Sequence, residues 1–417
     1  MQPAARRLSI LMSACDPIVR PGATLRGESL GRGPSALLLH AGGERRTVWR
    51  PVMQELAQRG YCSVAFDQRG HGESGRDSGG AVAAFGDDAQ AMIARMTLPV
   101  VVGASLGGFA ALLALRDAAT QAAVAGLVLV DVVPSLDRER VLDYLARGRQ
   151  DLVRSALVTD ILDHTAALCD SAATLSCPVL LVRGGAASPL QDDRVQGFLR
   201  LVPHAALATI QHASHLVARD APDELGRILA DFLAYDAVRA RRIARFYAAH
   251  GAERIAHPGG TLASHLQRTG DLLCDWQAPP WLVDAGRLHA AYGTDGFDVP
   301  LVDASGQGTI ASFAGERAEA LIRLYGRCDR ARSYPTWSSA APVVVDRESG
   351  AATALDAEQR AALIELTVAN ELDVLAHDPE IAQRFGAELA RLFAAWRAFM
   401  SDAAWRAVAS RGRALSS

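Results

Sequence analysis

Pro99-Val100-Val101-Val102-Gly103-Ala104-Ser105-Leu106-Gly107-Gly108 runs directly into Phe109-Ala110-Ala111-Leu112-Leu113-Ala114-Leu115-Arg116. The first four residues read as a buried strand, and the last eight are strong helix formers. Between them Gly103, Ser105 and Gly107 have the G-x-S-x-G spacing of a nucleophile elbow, a strand-to-helix turn so tight that small residues must flank the serine. Such a turn lifts the serine Oγ above the sheet, beside backbone N–H groups able to hold an oxyanion.

The surrounding sequence repeats the strand–helix alternation. Short apolar runs lie at 36–39, 62–66, 99–102, 125–130, 178–182 and 206–210, with helical patterns such as 49–59 and 222–233 between them. Runs this short and this continuously apolar predict parallel strands covered on both faces. The segment 136–176 falls between two core strands and is expected to form one or two helices over the serine as a short lid. Past residue 235 strand-like alternation nearly disappears. Helices are expected at 237–250, 261–276, 280–292, 310–326, 357–376 and 379–409, with a small hairpin through Val343-Val344-Val345. With 417 residues, the chain is too long for one ordinary core. The expected division is an N-terminal extension at 1–24, an α/β domain at 25–236 and an all-α domain at 237–417.

Composition narrows the function classes. Charged residues make up 21% and hydrophobic residues 50%, a soluble globular balance. The net charge is −3 and no basic block occurs, which argues against a nucleic-acid partner. Every basic residue is Arg, so no mechanism can use a catalytic lysine. No apolar run approaches the roughly 18–20 residues of a membrane span. Arg6-Arg7 ahead of 8–15 has only a faint lipoprotein-signal outline, with too short an apolar core. The six cysteines form no CxxC, as suits free thiols in a reducing cytoplasm. The expected partner is a small-molecule substrate, with neither membrane nor nucleic acid; the oligomeric state is not readable.

Five motifs occur in a telling order: His40-Ala41-Gly42-Gly43, Asp67-Gln68-Arg69-Gly70-His71-Gly72-Glu73-Ser74, the elbow, Leu129-Val130-Asp131, and Ala213-Ser214-His215-Leu216-Val217. Over 25–235 the chain resembles the α/β-hydrolase superfamily, nearest its esterase and cofactor-free haloperoxidase branch. The resemblance implies Ser105 as nucleophile, His215 as its base and the N–H groups of Gly42 and Leu106 as the oxyanion hole, with no cofactor. It implies structural roles for His40 and His71, and favours His215 over His212. The family's acid follows the strand at 178–182, but there Ser188 stands in its place. Asp131 at the end of the preceding strand, Asp192 or Asp193 reaching back, or no acid at all remain open.

The helical half carries a second constellation. His265 falls inside one expected helix, His289 near the end of another and Asp329 after a third, with His257 ahead of the first; two imidazoles with a carboxylate are a plausible divalent-metal cage. The order resembles the HD superfamily of helical metalloproteins, which implies a metal (Fe or Mn) on His265, His289 and Asp329. Ala290 follows His289 where that superfamily has Asp; Asp295 or His257 are the candidate replacements. The stretch H-x-x-Y-G-T-x-x-F at 289–297 is also similar to an uncharacterised bacterial domain type. Two functions follow. One is a serine hydrolase acting on an ester, thioester, lactone or amide of a small molecule. The alternative is metal-dependent phosphohydrolase or iron oxygenase chemistry in the helical half, with a degenerate hydrolase module.

Overall fold

The apolar runs that read as strands do form a sheet, and alternation along each strand explains why both faces are covered. Leu37, Leu39, Val101, Leu127, Leu129, Val179 and Leu181 enter one core, whereas Ala36, Leu38, Val100, Val102, Val128, Val130, Leu180 and Val182 enter the other. A fully buried Leu or Val contributes about 1.5–3 kcal/mol, so each central strand is anchored from both sides. The computed structural model describes residues 12–75, 81–148, 153, 155–185, 187–303 and 308–414. By internal contacts the chain divides into two units, Met1–Arg241 and Arg242–Ser417.

The strands of the first unit are β1 (Ser13–Ala14), β2 (Ile18–Arg20), β3 (Ala23–Leu25), β4 (Gly27–Leu30), β5 (Ser35–Leu39), β6 (Cys62–Phe66), β7 (Val100–Ala104), β8 (Gly126–Val130), β9 (Val179–Gly184) and β10 (Ala205–Ile210). Eight of them pair in the order β1-β4-β6-β5-β7-β8-β9-β10. From β6 to β10 the pairing is parallel, while β4 runs antiparallel to β1 and β6. The described helices are α1 (Arg50–Gln58), α2 (Val82–Ile93), α3 (Leu106–Ala114), α4 (Ala118–Ala122), α5 (Arg138–Gly148), α6 (Ala156–Asp163), α7 (Thr165–Ala173), α8 (Asp192–Leu201), α9 (Val217–Asp220), α10 (Pro222–Ala234) and α11 (Asp236–His250).

Three expectations need correcting here. The described part of the expected N-terminal extension is folded in: β1 pairs with β4, and Ile18 and Leu25 of the β2–β3 hairpin are buried. Its residues 1–11, with the signal outline, lie outside the described residues. The lid segment contains three described helices, α5 to α7, rather than one or two, and its residues 149–152 and 154 lie outside the description. The helix α11 runs through residue 236, so the units part within it rather than before it.

The second unit is helical but not all-α. It contains α12 (Leu262–Asp275), α13 (Pro280–Leu288), α14 (Ala311–Ala314), α15 (Glu316–Gly326), α16 (Arg330–Ser333), α17 (Ala357–His377), α18 (Pro379–Trp396) and α19 (Asp402–Ala414). Two short hairpins accompany them, β11 (Ala256–His257) with β12 (Gly260–Thr261), and β13 (Val343–Val345) with β14 (Ala352–Ala354). The helix expected over 310–326 is split at Gly315, whose φ of 88° no L-residue adopts comfortably. The helix expected over 379–409 is split at the extended Met400, and Ser401 N–H bonds Glu365 instead of a preceding turn. A capping box of Asp356 and Gln359 starts α17. No described helix is long and apolar enough to cross a membrane.

The elbow depends on close backbone approach. A Cβ on Gly107 would lie 2.3 Å from the Leu39 carbonyl oxygen, and one on Gly103 would lie 2.4 Å from the Gly107 oxygen. Gly107→Ala is therefore expected to lower stability by about 1–3 kcal/mol through overpacking against β5. Gly386→Ala in α18, where a Cβ would meet nothing within 4 Å, should raise it by up to about 1 kcal/mol. Thermal and urea unfolding of both variants check the pair.

Candidate active site

Ser105 sits between β7 and α3 with φ 48° and ψ −112°, a strained conformation costing on the order of 1–3 kcal/mol. Its neighbours hold it there: the Ser105 N–H reaches the Val130 oxygen at 3.4 Å, and the Gly108 N–H donates to the Ser105 oxygen at 2.9 Å. Leu106 opens α3, so its N–H has no acceptor within the helix. The loop after β5 faces it, since a Cβ on Gly42 would lie 3.8 Å from Leu106 Cβ. Gly42 and Leu106 are thus neighbours at the elbow.

Two histidines hold that loop. His40 donates from Nδ1 to the Ala41 oxygen at 2.8 Å, and its Nε2 accepts the Gln68 N–H at 3.0 Å. His71 donates from Nδ1 to the Arg69 oxygen at 2.9 Å and accepts the Gly43 N–H at 2.9 Å. Both rings spend their nitrogens on backbone, in keeping with structural roles.

Of the carboxylates left open by the sequence, Asp131 is the one that meets His215. Asp131 follows β8 with φ 51°, and its Oδ2 accepts the His215 Nδ1–H at 2.9 Å. Its Oδ1 accepts the Gly184 N–H at 2.7 Å, and the Ser188 hydroxyl lies 2.8 and 2.7 Å from Oδ1 and Oδ2. The Asp131 side chain is wholly buried and that of His215 is 17% exposed. A proton fixed on Nδ1 leaves His215 Nε2 as the basic nitrogen. Asp192 and Asp193 instead begin α8 and pair with Arg183 and Arg140. His212 is exposed and faces Glu224 at 3.6 Å. From the lid, the Tyr144 ring of α5 meets the His215 ring edge-on at 5.5 Å. Sequence reasoning missed Ser188 as a partner, having read it only as a missing acid.

A second set of polar groups lines a cavity of about 590 Å³ in the other unit. His265 of α12 donates from Nδ1 to Asp373 of α17 at 2.7 Å, and Arg268 grips the same carboxylate at 2.7 and 2.9 Å. Burial would raise the Asp373 pKa, but the bonds from His265 and Arg268 outweigh it and hold the group at about 2. His289 is pushed down to about 3, first by burial and then by the adjacent His265. His257, stacked on His265 at 4.0 Å between centroids, is pushed down to about 4 by the same two causes.

The metal triad proposed from sequence is not assembled. His265 and His289 meet, Nε2 to Nε2, at 3.3 Å, but Asp329 does not join them. It caps α16, accepting the Arg332 N–H at 3.0 Å, because a carboxylate one residue before a helix finds first-turn N–H groups within reach. Asp295, which does line the cavity, accepts the Arg330 N–H at 2.9 Å. Among the described residues no group of three His, Cys, Asp or Glu is arranged to hold a metal ion.

Residues 34–200 match the family described as alpha/beta hydrolase fold. The first unit has the α/β-hydrolase fold. Residues 246–330 match a family described as "Domain of unknown function (DUF6817)", so the likeness of this half to HD proteins gains no support. The chain is 29% identical over 255 residues to "Esterase Rv0045c" of Mycobacterium tuberculosis, covering 49% of this chain and 84% of the esterase. It is 34% identical over 70 residues to "Bifunctional epoxide hydrolase 2" of Sus scrofa, covering 15% of this chain and 13% of that protein. Among solved structures, a "Thioesterase Domain From Curacin Biosynthetic Pathway" aligns at 20% identity and TM-score 0.43, covering 54% of this chain and all (100%) of that one. A thermophilic esterase from Thermogutta terrifontis aligns at 22% identity and TM-score 0.41, covering 54% of this chain and 98% of that one.

The α/β-hydrolase loop histidine gives a pH test. Burial, the largest cause, pushes His40 down to about 4 from its ordinary 6.5. Below pH 6.5 the unfolded chain takes up a proton that the folded chain refuses until about pH 4, so stability falls as pH falls through that window. The loss attributable to this ring is at most about 3 kcal/mol. His40→Gln, which keeps an acceptor for Gln68, should destabilise at pH 7, and its deficit against wild type should shrink towards pH 4 in urea unfolding at each pH.

Proposed function

We propose that the first unit is a serine hydrolase that cleaves an ester, thioester, lactone or amide of a small molecule. The observation that carries the reading is the buried Asp131 carboxylate on His215 Nδ1 at 2.9 Å. It supplies the orienting acid that the family's usual position lacks. In this reading His215 Nε2 takes the Ser105 proton as Oγ attacks the substrate carbonyl. The oxyanion of the tetrahedral intermediate lies on the N–H groups of Gly42 and Leu106. His215 then protonates the leaving group, leaving an acyl-serine, and water attacks by the same route to release the acid and restore Ser105.

Asp131 favours the imidazolium without taking its proton, and fixes the tautomer that leaves Nε2 free. Ser188 and the Gly184 N–H hold Asp131, so Ser188 is a positioning residue in place of the missing acid. The degenerate-module alternative rested on Ser188 standing where an acid belongs; its bonds to Asp131 remove that motive. The similarity to an esterase favours esters within the class. A cytoplasmic location belongs to the same reading and rests on the six free thiols.

A fluorophosphonate probe should label the wild-type chain and leave Ser105→Ala unlabelled. Ester turnover in Asp131→Asn should fall on the order of 10⁴-fold, the cost of losing the orienting carboxylate in serine proteases. Ser188→Ala should cost roughly 10- to 100-fold, the loss of a hydrogen bond to a charged group. An unlabelled wild type, or wild-type turnover in Asp131→Asn with the fold intact by circular dichroism, would sink the assignment.

A further inference from the structure

Three hydrogen-bond acceptors converge in the cavity of the second unit, and the tautomers show why. His289 Nδ1 lies 2.8 Å from the Gly286 oxygen, so that nitrogen carries the proton and Nε2 presents a lone pair. His265 Nδ1 lies 2.7 Å from the Asp373 carboxylate, so it too carries a proton, and in the neutral tautomer Nε2 is left bare. Asn370 has its orientation set by Nδ2, which donates to Glu371 Oε1 at 3.1 Å, and that turns Oδ1 towards His265. The His265 Nε2 then lies 3.3 Å from His289 Nε2 and 3.1 Å from Asn370 Oδ1. These residues are only 1%, 2% and 5% exposed for His265, His289 and Asn370.

With the His265 ring neutral, lone pairs would face each other at such distances, out of water, and repel unless a proton or a metal ion sat among them. A proton on His265 would serve only one of the two facing acceptors at a time. A metal ion serves all three. Two nitrogen ligands at about 2.0–2.1 Å, at a tetrahedral angle, stand about 3.3 Å apart, the separation of the two Nε2 atoms. Each ring also donates its other N–H to a fixed outer acceptor, Asp373 or the Gly286 oxygen, which is the usual support of a metal-bound imidazole. The Nδ1 of the stacked His257 is buried without a hydrogen-bond partner beside this group.

We propose that His265 Nε2, His289 Nε2 and Asn370 Oδ1 form a divalent transition-metal site whose remaining coordination positions open into the cavity. Two imidazoles and an amide oxygen suit Zn²⁺, Fe²⁺, Co²⁺ or Mn²⁺ better than Ca²⁺ or Mg²⁺. All three donors are neutral, so the ion keeps its double charge and calls for an anionic ligand from the cavity. Ile381, Phe385 and Leu392 of α18 form an apolar wall of the same cavity. The ligand class is thus an amphipathic anion, a carboxylate or phosphate on an apolar body. The set contains one carboxamide and two histidines, and so differs from any group built of His, Cys, Asp and Glu alone.

The test uses the full-length chain, stripped with a chelator and titrated with Zn²⁺, Mn²⁺, Fe²⁺ and Co²⁺ under anaerobic conditions. One equivalent per chain is expected by elemental analysis after gel filtration, with a rise in the unfolding temperature of the second unit. His289→Ala and Asn370→Leu should each weaken binding at least 100-fold, Asn370→Asp should retain the ion, and Asp329→Ala should leave its stoichiometry unchanged. Fluorophosphonate labelling of Ser105 and circular dichroism monitor the fold of the variants. The Co²⁺ visible spectrum reports the ligands directly and should change in His289→Ala. The proposal is overturned if the wild-type chain takes up none of the four ions stoichiometrically. Full occupancy in a folded His289→Ala, or an unchanged Co²⁺ spectrum there, overturns it equally.

Discussion

A carboxylate buried at the end of β8 joins three strand ends of the first unit. Asp131 receives the Gly184 N–H from the end of β9, the Ser188 hydroxyl from the loop beyond it and the His215 imidazole from the loop after β10. An unpaired charge there would be strongly destabilising, whereas one with several donors is tolerated. The carboxylate therefore fixes the relative positions of those loops as well as the ring it faces. The loop after β5 is set in the same manner by His40 and His71, which bond backbone on both sides. The small approach distances at Gly103 and Gly107 complete the arrangement by letting α3 start against β5.

The same local device occurs in both units with different surroundings. His215 gives Nδ1–H to Asp131 at 2.9 Å, and His265 gives Nδ1–H to Asp373 at 2.7 Å. The His215 side chain is 17% exposed, and the Tyr144 ring of α5 meets it edge-on. The His265 side chain is 1% exposed, and its basic nitrogen meets further acceptors. An aspartate behind a histidine thus has no fixed meaning; what lies before the other nitrogen decides the chemistry.

Much of the parallel sheet was legible because each strand is a continuous apolar run, whose burial on both faces needs no alternation. The strands before residue 31 were not, because β1 to β4 are two to four residues long and include Gly27, Glu28 and Ser29, which carry no such signal. The carboxylate that meets His215 stayed ambiguous because Asp131 and His215 are 84 positions apart and only the folded sheet brings them together. Asp329 misled for the opposite reason. Its type and order fit a ligand, yet the start of α16 offered it nearer partners. Asn370 left no trace, since a carboxamide is seldom sought among ligands and lies 105 positions from His265.

Ser105 and Asp131 have φ of 48° and 51°, so two residues at the centre of the candidate site occupy backbone conformations that most L-residues avoid. The strain is borne by the glycine contacts and the buried hydrogen bonds around them. The two strained positions therefore differ in what they could shed. A glycine at 105 would relax the elbow, whereas an asparagine at 131 would turn an NH2 group towards the donors that the carboxylate now satisfies. A population of variants sorted for thermal endurance alone would drift at 105 and keep 131.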